Sequence, residues 1–318
     1  MDDCRMYDLI GDIHGHADEL VQLLETLGYR KRRGTFRHPE RQVIFLGDFI
    51  DRGPKIRQVL EIVRPMIKEG CALAVIGNHE LNFLAFHTEH PTSPGEFARR
   101  HTSKHVGQHR RTMQQLRSDE VVSYLDWFRT LPLFLDLDGV RAVHACWDQR
   151  AIDKIAQALI DHGGITTPFL QAAYDERSAL FAPVDVVLKG KDAVLPGGQL
   201  VRDKDGGWRT EISTRWYLSP QGQTYRTYTL QTDDIDCDQA LDEAVIEQAD
   251  PYPANAQPVF VGHYWLSARR PEVLADNVAC LDYSVAKGGL LCAYRWHGER
   301  KLNNENFVWV EGVGQDDD

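Results

Sequence analysis

At 318 residues and 42% hydrophobic composition, the chain carries enough apolar material for one large domain with its own insertions. A formal charge of -11 excludes general nucleic-acid affinity, which needs surplus lysine and arginine. No run reaches the roughly 18 apolar residues that span a bilayer, and the opening MDDCRMYDLIGDIHGH sets acids where a secretory leader sets bases. A soluble, cytoplasmic protein without a membrane partner is expected.

Residues 1–80 alternate strand and helix signals. MYDLI is a short apolar run stopping at Gly11, and ADELVQLLETLGY then places Leu20, Leu23, Leu24 and Leu27 at helical spacing before Gly28. QVIFL predicts a second buried strand, and Pro54 is placed to open a helix carrying Ile56, Val59, Leu60 and Val63. ALAVI predicts a third strand, stopping at Gly77. Three strand-loop-helix units imply a largely parallel sheet, with ligands at the carboxyl ends of its strands.

Residues 87–118 are polar, basic and rich in histidine, which predicts a loop and one or two amphipathic helices capping the sheet edge. His87, His90, His101, His105 and His109 read as a solvated helix face; the competing reading is that ARRHTSKHVGQHRR meets an anionic part of a substrate. LPLFLDLDGVRAVHA predicts a hairpin turning at Asp138 and Gly139, and helical periodicity returns from Ile152 to Leu180. Residues 185–250, with their glycine pairs and the acid-rich stretch from Asp233 to Asp250, predict an insertion or lid on a single domain spanning 1–318. PVFVGH, NVACLDYS, LLCAYRW and NFVWV predict strands of antiparallel style, and the tail GQDDD a frayed end. The cysteines, Cys4, Cys71, Cys146, Cys237, Cys280 and Cys292, lack CxxC or other metal spacing, which predicts reduced structural thiols.

The segments that follow these strands share a feature. GDIHG, GDFIDRG, GNHE, VHACW and VGHYW each place Asp, Asn or His within a few residues of a strand end. One edge of the sheet would then gather Asp12, His14, Asp48, Asn78, His144 and His263. Buried carboxylates are costly unless their charge is compensated. Two divalent cations would compensate them, and a donor set of oxygen and nitrogen without sulfur suits Mn, with Fe or Zn as alternatives, better than Ca or Mg.

GDIHG, GDFIDRG and GNHE in this order, followed by two isolated histidines, resemble the calcineurin-like metallophosphoesterases. GDFIDRG is similar to the phosphoprotein phosphatase branch and its bacterial relatives, the diadenosine-tetraphosphate hydrolases among them. The resemblance implies an α/β fold, a sandwich of two mixed β-sheets flanked by helices, with helical insertion or cap segments. It implies that Asp12 and His14 hold one metal, that Asp48 bridges, and that Asn78, His144 and His263 complete the second. His79 would be the general acid, Asp51 would orient it, Arg52 would bind phosphate, and Glu80 would support the site from behind. A second phosphate-binding arginine is implied as well; Arg177, Arg202, Arg209 and Arg215 are available with no motif to choose among them, and Arg215 in STRWY is taken. Many relatives carry Gly-His-x-His in the last motif, whereas here Trp265 stands in place of the second histidine, leaving the first metal more open to water.

Such a site supports hydrolysis of a phosphorylated small molecule, nucleotide or phosphoprotein. Two ions about 3.5–4 Å apart acidify water and clamp phosphoryl oxygens, Arg52 matches phosphate geometry, and an acid assists the leaving group. Phosphomonoesters lead, phosphoserine and phosphothreonine among them; dinucleoside polyphosphates are the rival substrates, and an inactive metal-binding regulatory module is the rival class. Cys146 lacks the Cys-x5-Arg loop of a thiol nucleophile. Trp216, Tyr217, Tyr264 and Trp265 would either stack on a base or pack in the core or its rim.

Overall fold

The computed structural model describes residues 6–202, 207–230, 235–267 and 269–313. Cys4, the tail 314–318 and Asp233 lie outside them. The chain first forms β1 (Met6–Ile10), α1 (Ala17–Thr26), β2 (Arg41–Phe45), α2 (Ile56–Lys68), β3 (Ala72–Ala74) and α3 (Asn78–Phe86). It continues through α4 (Ser103–Gln115), α5 (Ser118–Phe128), the hairpin β4 (Phe134–Leu137) and β5 (Val140–Val143), and α6 (Gln149–His162), α7 (Thr167–Tyr174) and α8 (Phe181–Lys189). After the 190–250 region come β6 (Val259–Val261), β7 (Val278–Cys280), β8 (Asp282–Tyr283), β9 (Leu290–Trp296) and β10 (Phe307–Glu311).

Two mixed sheets face one another. In the first, β1 pairs in parallel with β2, β2 with β3, and β9 joins β1 antiparallel while also pairing with β8 and β10. The second runs β7-β6-β5-β4, parallel except for the terminal hairpin. Leu9, Ile44, Ala142, Phe260 and Ala279 meet between the sheets, while their strand neighbours Ile10, Val43, Phe45, Val143, Val259, Val261 and Val278 pack in the core that includes the helices. Side chains alternate across a strand with period two. With both faces covered, the strands read as continuous apolar runs.

Three expectations change. The β6 and β7 strands run parallel, not antiparallel, because the stretch from Gly262 to Asn277 is long enough to return the chain to its starting end. Helix α2 begins at Ile56, two residues beyond Pro54. Residues 87–118 open with a short hairpin, Glu89–His90 against Ser93–Phe97, before α4 starts. Ala193, Leu195, Ile212, Tyr225, Tyr228, Ile235, Cys237 and Leu241 form a small separate core in the 190–250 region. No helix among the described residues is long and apolar enough to cross a membrane.

Candidate metal centre and catalytic pair

Every strand that precedes a proposed ligand ends at the same edge. Asp12 follows β1, Asp48 follows β2, Asn78 opens α3 just beyond β3, His144 follows β5 and His263 follows β6. The loops hold one another through the backbone. Ile13 and His14 donate to the Asp48 carbonyl at 3.1 and 2.8 Å, and Gly262 donates to the His144 carbonyl at 2.8 Å. His14, Asp48, Asp51, Arg52, His263 and Trp265 all adopt left-handed backbone, joined among the described non-glycine residues only by Arg33 and Ser284. Such backbone costs roughly 1 kcal/mol or more per residue and gathers where function requires it. Gly77 is needed for close approach: a β-carbon there would collide with the Asp48 carboxylate.

The ligand atoms of Asp12, Asp48 and His144 lie within 4.8 Å of one another, and so do those of His14, Asp48 and His79. Asp48 is common to both groups, as a bridging carboxylate must be. His14 Nδ1 donates to the Ile50 carbonyl at 2.8 Å and His144 Nδ1 to the Leu46 carbonyl at 2.7 Å, so each presents Nε2 inward. Second partners of this kind orient metal-binding imidazoles. His14 Nε2 is buried without a hydrogen-bond partner. Asn78 Oδ1 has His144 Nε2 at 2.9 Å and His263 Nδ1 at 3.0 Å, three donor atoms turned toward one point.

Electrostatics point the same way. Burial, then Asp282, pushes the Asp12 carboxyl well above its ordinary value, and burial holds the His14 imidazole well below its own. Burial opposes ionisation of Asp48, but His144 and His79 keep its carboxyl well below the usual range. Burial opposes protonation of His144, but Asp48 pushes its imidazole up to about 10. A divalent cation would compensate these buried carboxylates in place of that proton, and the donor set lacks sulfur.

Beside this cluster, Asp51 Oδ2 accepts from His79 Nδ1 at 2.6 Å. Two further donors reach Asp51: His109 Nδ1 at 3.0 Å and the Thr112 hydroxyl at 2.5 Å, both from α4. Burial opposes its ionisation, yet hydrogen bonds from His109 and His79 hold its carboxyl far below the usual range. Glu80 accepts from the backbone N–H groups of Asp48, Phe49, Ile50 and Gly77 at 2.8–3.2 Å, locking the GDFIDRG loop to the start of α3. Trp265 lies under the Arg52 guanidinium, 4.3 Å from ring centre to carbon, with Lys287 Nζ at 5.2 Å. The side chain standing where a second histidine was sought is thus an aromatic platform for the arginine.

The structure therefore gathers Asp12, His14, Asp48, Asn78, His144, His263, His79, Asp51 and Arg52 at one edge. Arg215 Nε donates to the Thr229 carbonyl at 2.8 Å. Trp216 and Tyr264 are core residues, the indole donating to the Tyr264 hydroxyl at 3.0 Å. His109 corrects the reading of a solvated face, being 1% exposed against Asp51. The sequence signal for it was faint: His109 and Thr112 sit three apart on one helix face, but a polar stripe reads as exposed until the partner it covers is known.

Comparisons with known proteins agree with this geometry. The family model described as calcineurin-like phosphoesterase matches residues 7–198. The asymmetrical bis(5'-nucleosyl)-tetraphosphatase PrpE of Oceanobacillus iheyensis is 29% identical over 169 residues, 51% of this chain and 66% of that protein. The symmetrical bis(5'-nucleosyl)-tetraphosphatase of Hamiltonella defensa is 30% identical over 158 residues, 48% of this chain and 49% of that protein. The chain thus spans between about half and two thirds of the length of these relatives. Among solved structures, the cold-active protein-tyrosine phosphatase of a psychrophilic Shewanella shares the fold with a TM-score of 0.51 at 14% identity, over 97% of this chain and 80% of that one. With its ligand loops at one sheet edge and a family match across more than half its length, the chain belongs to the calcineurin-like phosphoesterases.

Proposed function

We propose that the protein is a two-metal hydrolase whose leading substrate class is a dinucleoside polyphosphate, with a phosphomonoester second. The observation that carries the reaction is the buried Asp48 carboxylate within ligand reach of Asp12, His144 and His14, with the neighbouring His79 imidazole held by Asp51. The names and extent of the relatives support the substrate order, the reverse of that expected from the motifs. GDFIDRG, with its likeness to the phosphatase branch, keeps the phosphomonoester in view. Reduced thiols at Cys71, Cys146, Cys237, Cys280 and Cys292 support a cytoplasmic setting.

In this reading Asp12 and His14 would hold one divalent ion, Asn78, His144 and His263 would hold the other, and the Asp48 carboxylate would serve both. Manganese is the first choice, iron or zinc the alternatives. Divalent ions held by these residues would supply acidification of water and compensation of phosphoryl charge. Arg52, braced on Trp265, orients the phosphoryl group through its planar fork. Water oxygen bonds to phosphorus as the bond to the leaving oxygen breaks. His79 passes its Nε2 proton to that oxygen while Asp51 holds Nδ1.

The test is turnover of para-nitrophenyl phosphate and diadenosine tetraphosphate by metal-stripped protein given Mn, with His79→Ala alongside. The variant is expected to lose about 10²–10⁴-fold in kcat, the range of general acid catalysis. A wild type that binds Mn by calorimetry and turns over neither substrate would instead be the regulatory module.

A further inference from the structure

Trp265 is covered by cations. Its side chain belongs to a residue only 7% exposed, with the Arg52 guanidinium carbon 4.3 Å and Lys287 Nζ 5.2 Å from the ring centre. The His14 imidazole lies 5.9 Å away, centre to centre. A ring so covered offers little face to a nucleotide base. It instead sets two positive charges beside His14, a proposed metal ligand, one on the half-buried Arg52 and one on the exposed Lys287. An anion arriving from solvent can therefore reach the lysine.

One buried side chain joins the two segments that bring Lys287 to the ring. Asp282, 2% exposed in β8, accepts from the Trp265 N–H at 2.8 Å on one carboxylate oxygen and from the Ser284 N–H at 3.0 Å on the other. Both donor residues have left-handed backbone, with φ of 53° at Trp265 and 60° at Ser284. From Ser284 the chain makes a single 3-10 turn, Val285–Lys287, in which the Lys287 N–H donates to the Ser284 carbonyl at 2.8 Å and Val285 is buried. Gly289 closes the turn against the Tyr283 carbonyl, where a β-carbon would collide. Backbone held in an unfavourable region on both sides of one buried carboxylate marks the meeting of Trp265 and Lys287 as built for a purpose.

We propose that Lys287 binds a second phosphate of the substrate, next to the phosphoryl group that Arg52 orients, and so sets a preference for a polyphosphate chain over a monoester. The inference rests on the polyphosphatase reading above and names a residue that enforces it. Two cations on one ring repel each other, and a ligand carrying two linked phosphates offsets that repulsion at both. An ammonium is a point charge with rotatable donors, suited to a phosphate whose orientation varies along a flexible chain. Adjacent phosphates share an oxygen, so their charges stay close together, as the two cations do. The acidic flank of a phosphopeptide stands at least a residue away on a side chain that must first be ordered.

The experiment compares wild type with Lys287→Gln, Lys287→Glu and Lys287→Arg, each given Mn. The first readout is the ratio of kcat/KM for diadenosine tetraphosphate to that for para-nitrophenyl phosphate, which carries a single phosphate. The ratio is expected to fall about tenfold in Lys287→Gln and further in Lys287→Glu, and to be largely kept in Lys287→Arg, as loss and retention of a charge-assisted contact require. Calorimetric affinity for inorganic tripolyphosphate relative to inorganic phosphate, with free Mn matched in both solutions, should fall in the same order. A ratio within about twofold of wild type in Lys287→Glu, less than a charge-assisted contact is worth, overturns the proposal. An equal loss on both substrates gives that result and would make Lys287 a support for Trp265 and Arg52. A fall confined to a phosphoserine peptide with a neighbouring glutamate overturns it as well. Absence of wild-type turnover overturns the hydrolase reading instead, and the tripolyphosphate arm still decides whether Lys287 binds the second phosphate.

Discussion

Asp51 is held in place by more donors than a simple orienting carboxylate needs. His79, His109 and Thr112 all give it hydrogen bonds, and its own backbone N–H donates back to the Thr112 hydroxyl at 3.0 Å. Replacing His109 by Gln removes the imidazole donor and leaves the metal ligands untouched. A good leaving group needs little protonation, so kcat should fall about tenfold with phenyl phosphate and much less with 2,4-dinitrophenyl phosphate. Equal losses on both would mean that His109 only maintains local packing. His79, Asp51 and Arg52 were legible because their motifs are contiguous in the chain. His109 and Thr112 were not, because each is recognisable only by the partner it touches across the fold.

At the scale of elements, Glu80 joins two loops that the sequence keeps apart. Its carboxylate collects four backbone N–H groups, three from the GDFIDRG loop and one from Gly77. In Glu80→Gln the amide NH2 would face those donors and leave some of them unsatisfied in a buried place. A loss of about 2 kcal/mol follows, read as a lower urea midpoint with an unchanged slope. The strands that feed the loops announced themselves as apolar runs ending in Gly, Asp, Asn or His. The direction of β6 relative to β7 did not, since pairing direction is set by the route of the connection and both senses bury the same side chains. The 190–250 region was opaque for a related reason: its core residues, such as Leu195, Ile212 and Tyr225, are widely spaced and fall on elements too short for a period to show.

For the whole molecule, buried histidines outside the ligand set tie stability to pH. Burial holds both His87 and His109 below the usual imidazole value. Each binds its proton more weakly folded than unfolded, so its contribution to stability is complete above roughly 6.5, the unfolded value, and is lost as pH falls through the folded values. Glu80, raised to about 8 by burial and Asp48, and His144, raised to about 10, act in the opposite sense over this range. The test is therefore a difference: between pH 7.5 and 5.5 the melting temperature of wild type should fall relative to that of His109→Gln. A difference that does not change with pH would contradict this. The hairpin of β4 and β5 bears on the whole molecule differently. His144 leaves the far end of β5, so the exposed turn at Asp138 sits at the opposite end of the strand from the metal centre. A cysteine or tag placed there would give a handle for surface immobilisation or fluorescence that leaves the mouth of the reaction site open to solution.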